Sequence, residues 1–227
     1  MALSLRLKTI AALVPKGARV CDVGTDHARL PIYLISEKIA SRVIATDLRP
    51  LPLENAKKNV EYSGVTGIEL RLCDGLSAVK KDEADVIIIA GIGGEVISGI
   101  ISRADLLKEH PSPLLILQPT TSPEALRRYL CESGFETESE TPLKDNGKLY
   151  SIIAARFTGI TLKKPDWYYY IGKLDPKTPD GFLYIKKQYT RLKNCADALE
   201  KLDDKREEYL YYKNLADSIG NLIKEKR

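Results

Sequence analysis

Acidic residues and glycines recur where short apolar segments end in the first half of the chain. The positions are Asp22 near the end of segment 19–23 and Gly24 after it, Asp47 at the end of segment 42–47, Asp74 and Gly75 after segment 68–72, and Gly91 and Gly93 after segment 85–90. Carboxylates can accept hydrogen bonds from nucleoside hydroxyl and amino groups, and glycine lets a backbone approach a ligand closely. If the segments are neighbouring parallel strands, their ends form one nucleoside-binding site.

The turn after the first segment lacks the glycine-rich motif that binds the pyrophosphate of a dinucleotide cofactor. Gly24 is followed by Thr25, Asp26 and His27 and not by the G-x-G-x-x-G pattern. Asp26 would repel a pyrophosphate, whereas a cofactor with a positive charge and no phosphate tolerates an acid there. S-adenosylmethionine has a sulfonium, an amine, a carboxylate and a ribose diol. The predicted residues for this cofactor are Asp22, Gly24, Thr25, Asp47, Leu48, Asp74, Gly75, Gly91 and Gly93.

Two of these acids have specific expected partners. Asp47 would accept from both ribose hydroxyls, and Asp74 from the adenine amino group. The alternative for Asp47 alone is a solvated acid at a strand end. For Gly91 and Gly93 the alternative is a plain turn into a helix.

The elements that would position these residues follow from hydrophobic periodicity. Strand and helix patterns alternate five times, which is typical of a parallel sheet with crossover helices. The last two strand patterns follow each other without a helix, so one antiparallel strand should enter at the edge. This predicts an α/β, Rossmann-like class I methyltransferase sheet of seven strands with the last antiparallel; a dehydrogenase sheet more often ends in a sixth parallel strand. The predicted strands are 19–23, 42–47, 68–72, 85–90, 114–118, 135–141 and 149–157.

The pattern changes after residue 159. Ile185, Leu192 and Leu199 lie seven residues apart, and the stretch 182–223 has no proline and no glycine before Gly220. Such a stripe is typical of a coiled coil. We therefore predict two domains, an S-adenosylmethionine-binding methyltransferase domain over 1–159 and an antiparallel, coiled-coil-like helical hairpin over 160–227.

Composition narrows the class of protein. The 227 residues are 44% hydrophobic and 29% charged, which favours a folded chain with a real core. The four cysteines form no C-x-x-C pair, and no apolar run is long enough to span a membrane. We expect a cytoplasmic protein with reduced thiols and without a metal.

The net charge of +4 is concentrated in the C-terminal part. Residues 160–227 hold 15 basic and 11 acidic side chains and eight of the 12 tyrosines. A basic, aromatic-rich region could bind a polyanion such as RNA. It could equally be a solvated helix pair with tyrosines in its seam.

Four short motifs stand out in combination. They are Asp22-Val23-Gly24-Thr25-Asp26-His27-Ala28 with Leu30-Pro31, Ala90-Gly91-Ile92-Gly93-Gly94, Leu117-Gln118-Pro119, and Asn146-Gly147-Lys148-Leu149-Tyr150. Together they resemble one family, the bacterial tRNA (adenine-22-N1)-methyltransferases. Over residues 1–157 the resemblance is strong, and the family also has a C-terminal coiled-coil domain. Three positions depart from the family pattern, namely Arg29 for an aromatic residue, Cys73 for glycine and Ile92 for methionine.

The resemblance implies methyl transfer from S-adenosylmethionine to N1 of an adenine in the D-arm of tRNA. Because N1 keeps a lone pair in the neutral base, no general base is obligatory, and we expect positioning and charge stabilisation to dominate. Asp26 and His27 are the candidate catalytic residues. N1 lies on the Watson–Crick edge, so the base must be unpaired or flipped. The candidate substrate-binding residues are Arg29, Gln118, Lys148 and Tyr150.

Other functions stay open at this point. Methylation of another RNA base or position, a non-catalytic RNA-binding protein on the same fold, and a nucleotide-linked oxidoreductase are the alternatives. His27 could instead cap the helix that begins near Ala28. The sequence does not decide between a monomer and a weak dimer, or between tRNA binding and a dimer seam for the hairpin.

Overall fold

The computed structural model describes residues 3–225. Its centre is a seven-stranded sheet in the order β3-β2-β1-β4-β5-β7-β6. The strands are β1 Ala18–Val23, β2 Ala40–Asp47, β3 Ile68–Leu72, β4 Val86–Ile92, β5 Leu114–Pro119, β6 Phe135–Asp145 and β7 Lys148–Phe157.

Helices cover both faces of this sheet, which explains why its central strands read as continuous apolar runs. In β4, Ile87 and Ile89 pack into one core and Ile88 into the other. This alternation follows from the two-residue period of a strand. The helices are α1 Leu5–Ala12, α2 Arg29–Ser36, α3 Pro50–Ser63, α4 Gly94–Ser102, α5 Pro123–Glu132, α6 Asp166–Ile171, α7 Pro179–Leu199 and α8 Arg206–Glu225, with 3₁₀ turns at Asp105–Lys108 and Asp203–Lys205.

The strand directions confirm the predicted sheet. The five strands β1 to β5 are parallel to one another where they pair. The last strand, β7, enters between β5 and β6 and is antiparallel to both. This is the arrangement expected of a class I methyltransferase, since the short β6–β7 connection allows only an antiparallel pair.

The C-terminal helices form a third core. Ile185 and Leu192 of α7 pack with Leu215 and Ile219 of α8, and Leu149 of β7 contacts the edge of this cluster. The predicted pair of long helices is therefore present, and α7 begins at Pro179, where Thr178 accepts a capping hydrogen bond from the Gly181 N–H. The division at residue 159 and the coiled-coil character remain predictions. The short helix α6 was not predicted.

No helix among residues 3–225 is long and apolar enough to cross a membrane. The four cysteines are all free thiols in this structure.

Candidate active site

A cavity of about 1030 Å³ opens at the carboxyl ends of the parallel strands. Most of the predicted site residues line it, so the sheet brings together side chains that are up to 69 positions apart in the sequence, from Asp22 to Gly91. Four predicted residues, Gly93, Gln118, Lys148 and Tyr150, do not line it. Those that do are Asp22, Gly24, Thr25, Asp26, His27, Arg29, Asp47, Leu48, Asp74, Gly75 and Gly91.

Asp22 is a buried acid on the floor of the cavity. Its Oδ2 accepts a hydrogen bond of 2.7 Å from the Thr25 hydroxyl. Burial raises the pKa of Asp22 from 3.8 to about 6, the Thr25 hydroxyl partly offsets this, and the charge of Asp47 adds to it. A cationic ligand group beside Asp22 would therefore be favoured, because it would stabilise the ionised carboxylate.

Asp47, at the end of β2, is oriented by two backbone groups. Its Oδ2 accepts from the Asp26 N–H at 3.2 Å, and its Oδ1 accepts from the Arg49 N–H at 3.0 Å. Each carboxylate oxygen has capacity for a further hydrogen bond. Two ligand hydroxyls can be bound there without displacing a protein contact.

The turn after β1 presents Asp26 and His27 at the cavity. Gly24 and Asp26 both adopt positive φ angles, +75° and +53°, which point the Asp26 N–H at Asp47. The Asp26 carboxylate is exposed and lies 3.5 Å from His27 Nε2. Helix α2 is capped by Ala28 and not by a side chain, so the structure does not support the capping role considered for His27.

Asp74 lies at the cavity rim and is already partnered. Both of its carboxylate oxygens accept from Arg103 Nη2, at 3.2 and 3.3 Å, and both side chains are largely exposed. To accept from an adenine amino group, Asp74 must share its oxygens with Arg103. Arg103 was not predicted, because it caps the C-terminus of α4, 29 positions from Asp74, and no local pattern links the two.

The two predicted glycines after β4 have different surroundings. Gly91 has a φ of +85° and lines the cavity. A Cβ on Gly93 would lie 2.9 Å from Thr121 Oγ1, in the turn between β5 and α5. Gly93 thus permits close packing of two neighbouring turns. Its position in the sequence motif does not distinguish this packing role from ligand binding.

Gln118 and Tyr150 both contact Arg6, a residue that was not predicted from the sequence. Arg6 Nη1 donates to Gln118 Oε1 at 2.5 Å, and the Arg6 Cζ lies 6.0 Å from the centroid of the Tyr150 ring. Arg6 lines the cavity, whereas Gln118 is fully buried behind it. The register of β5 with β7 pairs Leu117 with Ile153, which carries Lys148 and Tyr150 beyond the end of β5 toward the same edge.

The donor set fits a nucleoside with cationic groups. No group of three or more His, Cys, Asp or Glu side chains in the described part of the chain is arranged around a common point. The acids instead occupy successive positions along a long cavity, as recognition of a diol, an amine and a base requires.

Comparisons with known proteins define the class first. A family model described as "Methyltransferase domain" matches residues 3–153. A ribosomal protein L11 methylase from Lactobacillus delbrueckii subsp. bulgaricus shares the fold, with a TM-score of 0.57 at 20% identity over 68% of this chain and 78% of that chain. The fold and the site are those of a class I methyltransferase.

Nearer relatives define the family. The tRNA (adenine(22)-N(1))-methyltransferase of Bacillus subtilis is 33% identical over 98% of this chain and 96% of the relative. The crystal structure of the B. subtilis m1A22 tRNA methyltransferase TrmK superposes with a TM-score of 0.83, at 31% identity over 99% of this chain and 98% of that chain. Mycoplasma capricolum TrmK in complex with S-adenosyl-homocysteine has a TM-score of 0.83, at 26% identity and full coverage of both chains. The chain belongs to the tRNA (adenine(22)-N(1))-methyltransferase family.

Proposed function

We propose that this protein transfers a methyl group from S-adenosylmethionine to N1 of adenine 22 in the D-arm of tRNA. One observation supports this above the others. Asp22 and Asp47 belong to adjacent parallel strands whose register pairs Asp22 with Ala45 and Val23 with Thr46. Both acids border one cavity of about 1030 Å³, which has room for a donor and a flipped base together.

On the donor side, the carboxylates match the polar groups of the methyl donor. The free acceptor capacity of Asp47 suits the two ribose hydroxyls, while Asp22 favours a nearby ammonium. Asp74 and the exposed Leu48 border the rim where the adenine would lie. Gly24, Thr25, Gly75 and Gly91 complete this wall with backbone and small side chains.

On the acceptor side, the chain's role is to position the base and to stabilise charge. When bound, S-adenosylmethionine would supply a methyl group that forms a bond to the N1 lone pair as its bond to the sulfonium sulfur breaks in line, leaving neutral S-adenosylhomocysteine. The adenine becomes cationic, so the exposed Asp26 carboxylate is suited to stabilise that charge. His27 would help to hold this carboxylate in place, since its Nε2 lies 3.5 Å from Asp26 Oδ2. Arg29, at the start of α2, offers a planar cation on which a flipped base could stack.

The tRNA body would lie across the cavity mouth and the C-terminal helices. Lys148 is exposed at the start of β7, and Lys186 and Lys187 are exposed on α7. Contacts from these lysines to phosphates would add affinity that falls with salt. We propose residues 160–227 as the tRNA-binding domain of a cytoplasmic enzyme.

The test is to incubate the protein with unmodified tRNA and isotope-labelled S-adenosylmethionine, then locate the methylated nucleoside by mass spectrometry. We expect 1-methyladenosine at position 22 and no label in a transcript with guanosine at that position. A label at another nucleoside, or N6-methyladenosine at position 22, would contradict the proposed reaction.

A further inference from the structure

The turn that presents Asp26 and His27 at the cavity is conformationally strained. Asp26 and Ala28, on either side of His27, both have φ angles of +53°, in the left-handed region that favours glycine. Because neither residue is glycine, the surrounding structure must hold the turn in this conformation. The orientation of the Asp26 and His27 side chains therefore depends on the contacts that fix the turn.

Strand β2 and the turn itself provide some of these contacts. The Asp26 N–H donates to Asp47 Oδ2 at 3.2 Å, and the Ala28 N–H donates to the Thr25 carbonyl at 3.0 Å. The Ala28 side chain is fully buried, which anchors the C-terminal side of the turn. None of these contacts involves the His27 carbonyl.

The His27 carbonyl receives its hydrogen bond from a different helix. The usual helical donor lies four residues further on, and here that residue is Pro31, which has no N–H. Asn59 on α3 supplies the donor instead, because its Nδ2 lies 3.0 Å from the His27 carbonyl oxygen. Asn59 is half-buried and does not belong to the cavity lining, so any effect on a ligand there must pass through the turn.

Asp47 and Asn59 thus hold two consecutive residues of the turn from one β2–α3 unit, in which α3 follows β2 directly. We propose that Asn59 is a positioning residue for methyl transfer, which fixes Asp26 and His27 toward the target base through the His27 carbonyl. This role rests on the proposed function, in which Asp26 and His27 face the flipped adenine. Without the contact, the His27 peptide is free to rotate, which moves both side chains while the strand ends that bind the donor stay in place.

The test measures the single-turnover rate of methyl transfer to tRNA and the calorimetric dissociation constants of S-adenosylhomocysteine and tRNA. Asn59→Asp keeps the shape of the side chain but replaces its N–H donor by a carboxylate oxygen, which repels the His27 carbonyl. It should lower the single-turnover rate by about 10- to 100-fold and change both dissociation constants by less than about threefold. Asn59→Ala, which lets water donate to the carbonyl, should lower the rate less than Asn59→Asp.

A second measurement separates positioning from general support of the fold. In a protein that carries Asp26→Asn and His27→Ala, adding Asn59→Asp should lower the rate by less than about threefold, because the side chains that it positions are already gone. Asparagine is used at position 26 because it tolerates a positive φ angle. Additive losses would overturn the inference, since Asn59 would then act independently of the two side chains. A wild-type rate in the protein with Asp26→Asn and His27→Ala would also overturn it, because nothing there would need positioning.

Asn55→Asp is the matched control, since it makes the same chemical change one turn earlier on α3, at a half-buried position outside the cavity lining. It should leave the rate and both dissociation constants unchanged. Loss of S-adenosylhomocysteine binding in Asn59→Asp and Asn59→Ala would overturn the inference, because the contact would then support the donor site as a whole. If the wild-type protein forms 1-methyladenosine and Asn59→Asp keeps its rate, only the role of Asn59 fails. If the wild-type protein forms none, the proposed function itself fails.

Discussion

Arg127 Nη2 lies 2.5 Å from Glu140 Oε1, and both side chains are almost completely buried. Arg127 also donates to the Tyr169 and Tyr170 carbonyls at 2.8 and 3.2 Å. The second Glu140 oxygen accepts from the Lys173 N–H at 2.9 Å. This ion pair therefore joins α5 and β6 of the sheet region to α6 and the chain after it.

Breaking this pair should destabilise the protein strongly. Arg127→Met leaves the Glu140 charge buried without its cationic partner, which should lower the free energy of unfolding by about 3–5 kcal/mol. Urea denaturation measures this directly. Adding Glu140→Gln to Arg127→Met removes the buried charge and should restore at least about 1 kcal/mol.

A surface ion pair provides the control. Arg42 and Glu69 are paired with both side chains more than two-fifths exposed, so Arg42→Gln should cost less than about 1 kcal/mol. If Arg127→Met costs no more than Arg42→Gln, the buried pair stabilises the protein no more than a surface pair does.

The raised pKa of Asp22 predicts a pH-dependent stability. The folded protein keeps this proton up to about pH 6, whereas the unfolded chain loses it near 3.8. Because the native state binds more protons in this window, the Asp22 contribution falls as the pH rises from about 4 to 6. Asp22→Asn, a neutral variant that can still accept from Thr25, should match wild type near pH 4 and exceed its stability by up to about 3 kcal/mol at pH 8.

The measurement is the difference between the two unfolding free energies, taken without ligand across pH 4–8. Taking the difference cancels the contributions of the other titrating groups to the free energy of unfolding, because both proteins share them. A difference that does not change with pH would show that Asp22 titrates as an ordinary carboxyl.

Asp47 is expected to dominate recognition of the ribose. Asp47→Ala removes both acceptors and should weaken S-adenosylhomocysteine binding by at least about 100-fold, while Asp47→Asn, which keeps one carbonyl, should weaken it about tenfold. Asp197→Asn, an exposed charge removal on α7, should leave affinity unchanged. Wild-type affinity in Asp47→Ala would rule out the proposed cofactor site.

The exposed lysines of α7 are expected to contact tRNA. Lys186→Glu with Lys187→Glu should weaken tRNA binding about tenfold and reduce the slope of log affinity against log salt by about 2, with donor binding unchanged. The control reverses two charges at the opposite edge of the sheet, Lys80→Glu with Lys81→Glu, near the start of β4. Equal losses in both variants would indicate a general charge effect and no tRNA-binding surface on α7.

The sequence predicts the centre of the sheet well because the central strands are covered on both faces and therefore appear as uninterrupted apolar runs. The acids at the strand ends follow from that, since parallel strands bring their carboxyl ends to one edge. Asp22 and Asp47 were found in this way, and their assigned ligand contacts remain predictions.

What the sequence could not indicate depends on contacts between distant segments. Arg6 and Gln118 are 112 positions apart, and no local pattern links a helix residue to a strand end. The burial of Arg127 could not be predicted either. An arginine on an amphipathic helix is normally expected on the exposed face, and its partner Glu140 lies on a separate strand. Gly91 and Gly93 share one motif, and their roles are separated by their surroundings, the cavity for Gly91 and Thr121 for Gly93.

The insertion of β7 between β5 and β6 has a consequence for synthesis on the ribosome. Until residue 157 has left the exit tunnel, β5 is the outer strand, and its backbone groups along Leu114–Pro119 have no neighbour on that side. An unpaired border of a mostly apolar strand is a template for association with other chains. A nascent or truncated product that stops before β7 therefore exposes an unpaired strand edge that is covered in the complete protein. Expression of N-terminal fragments that end before β7 should yield aggregates.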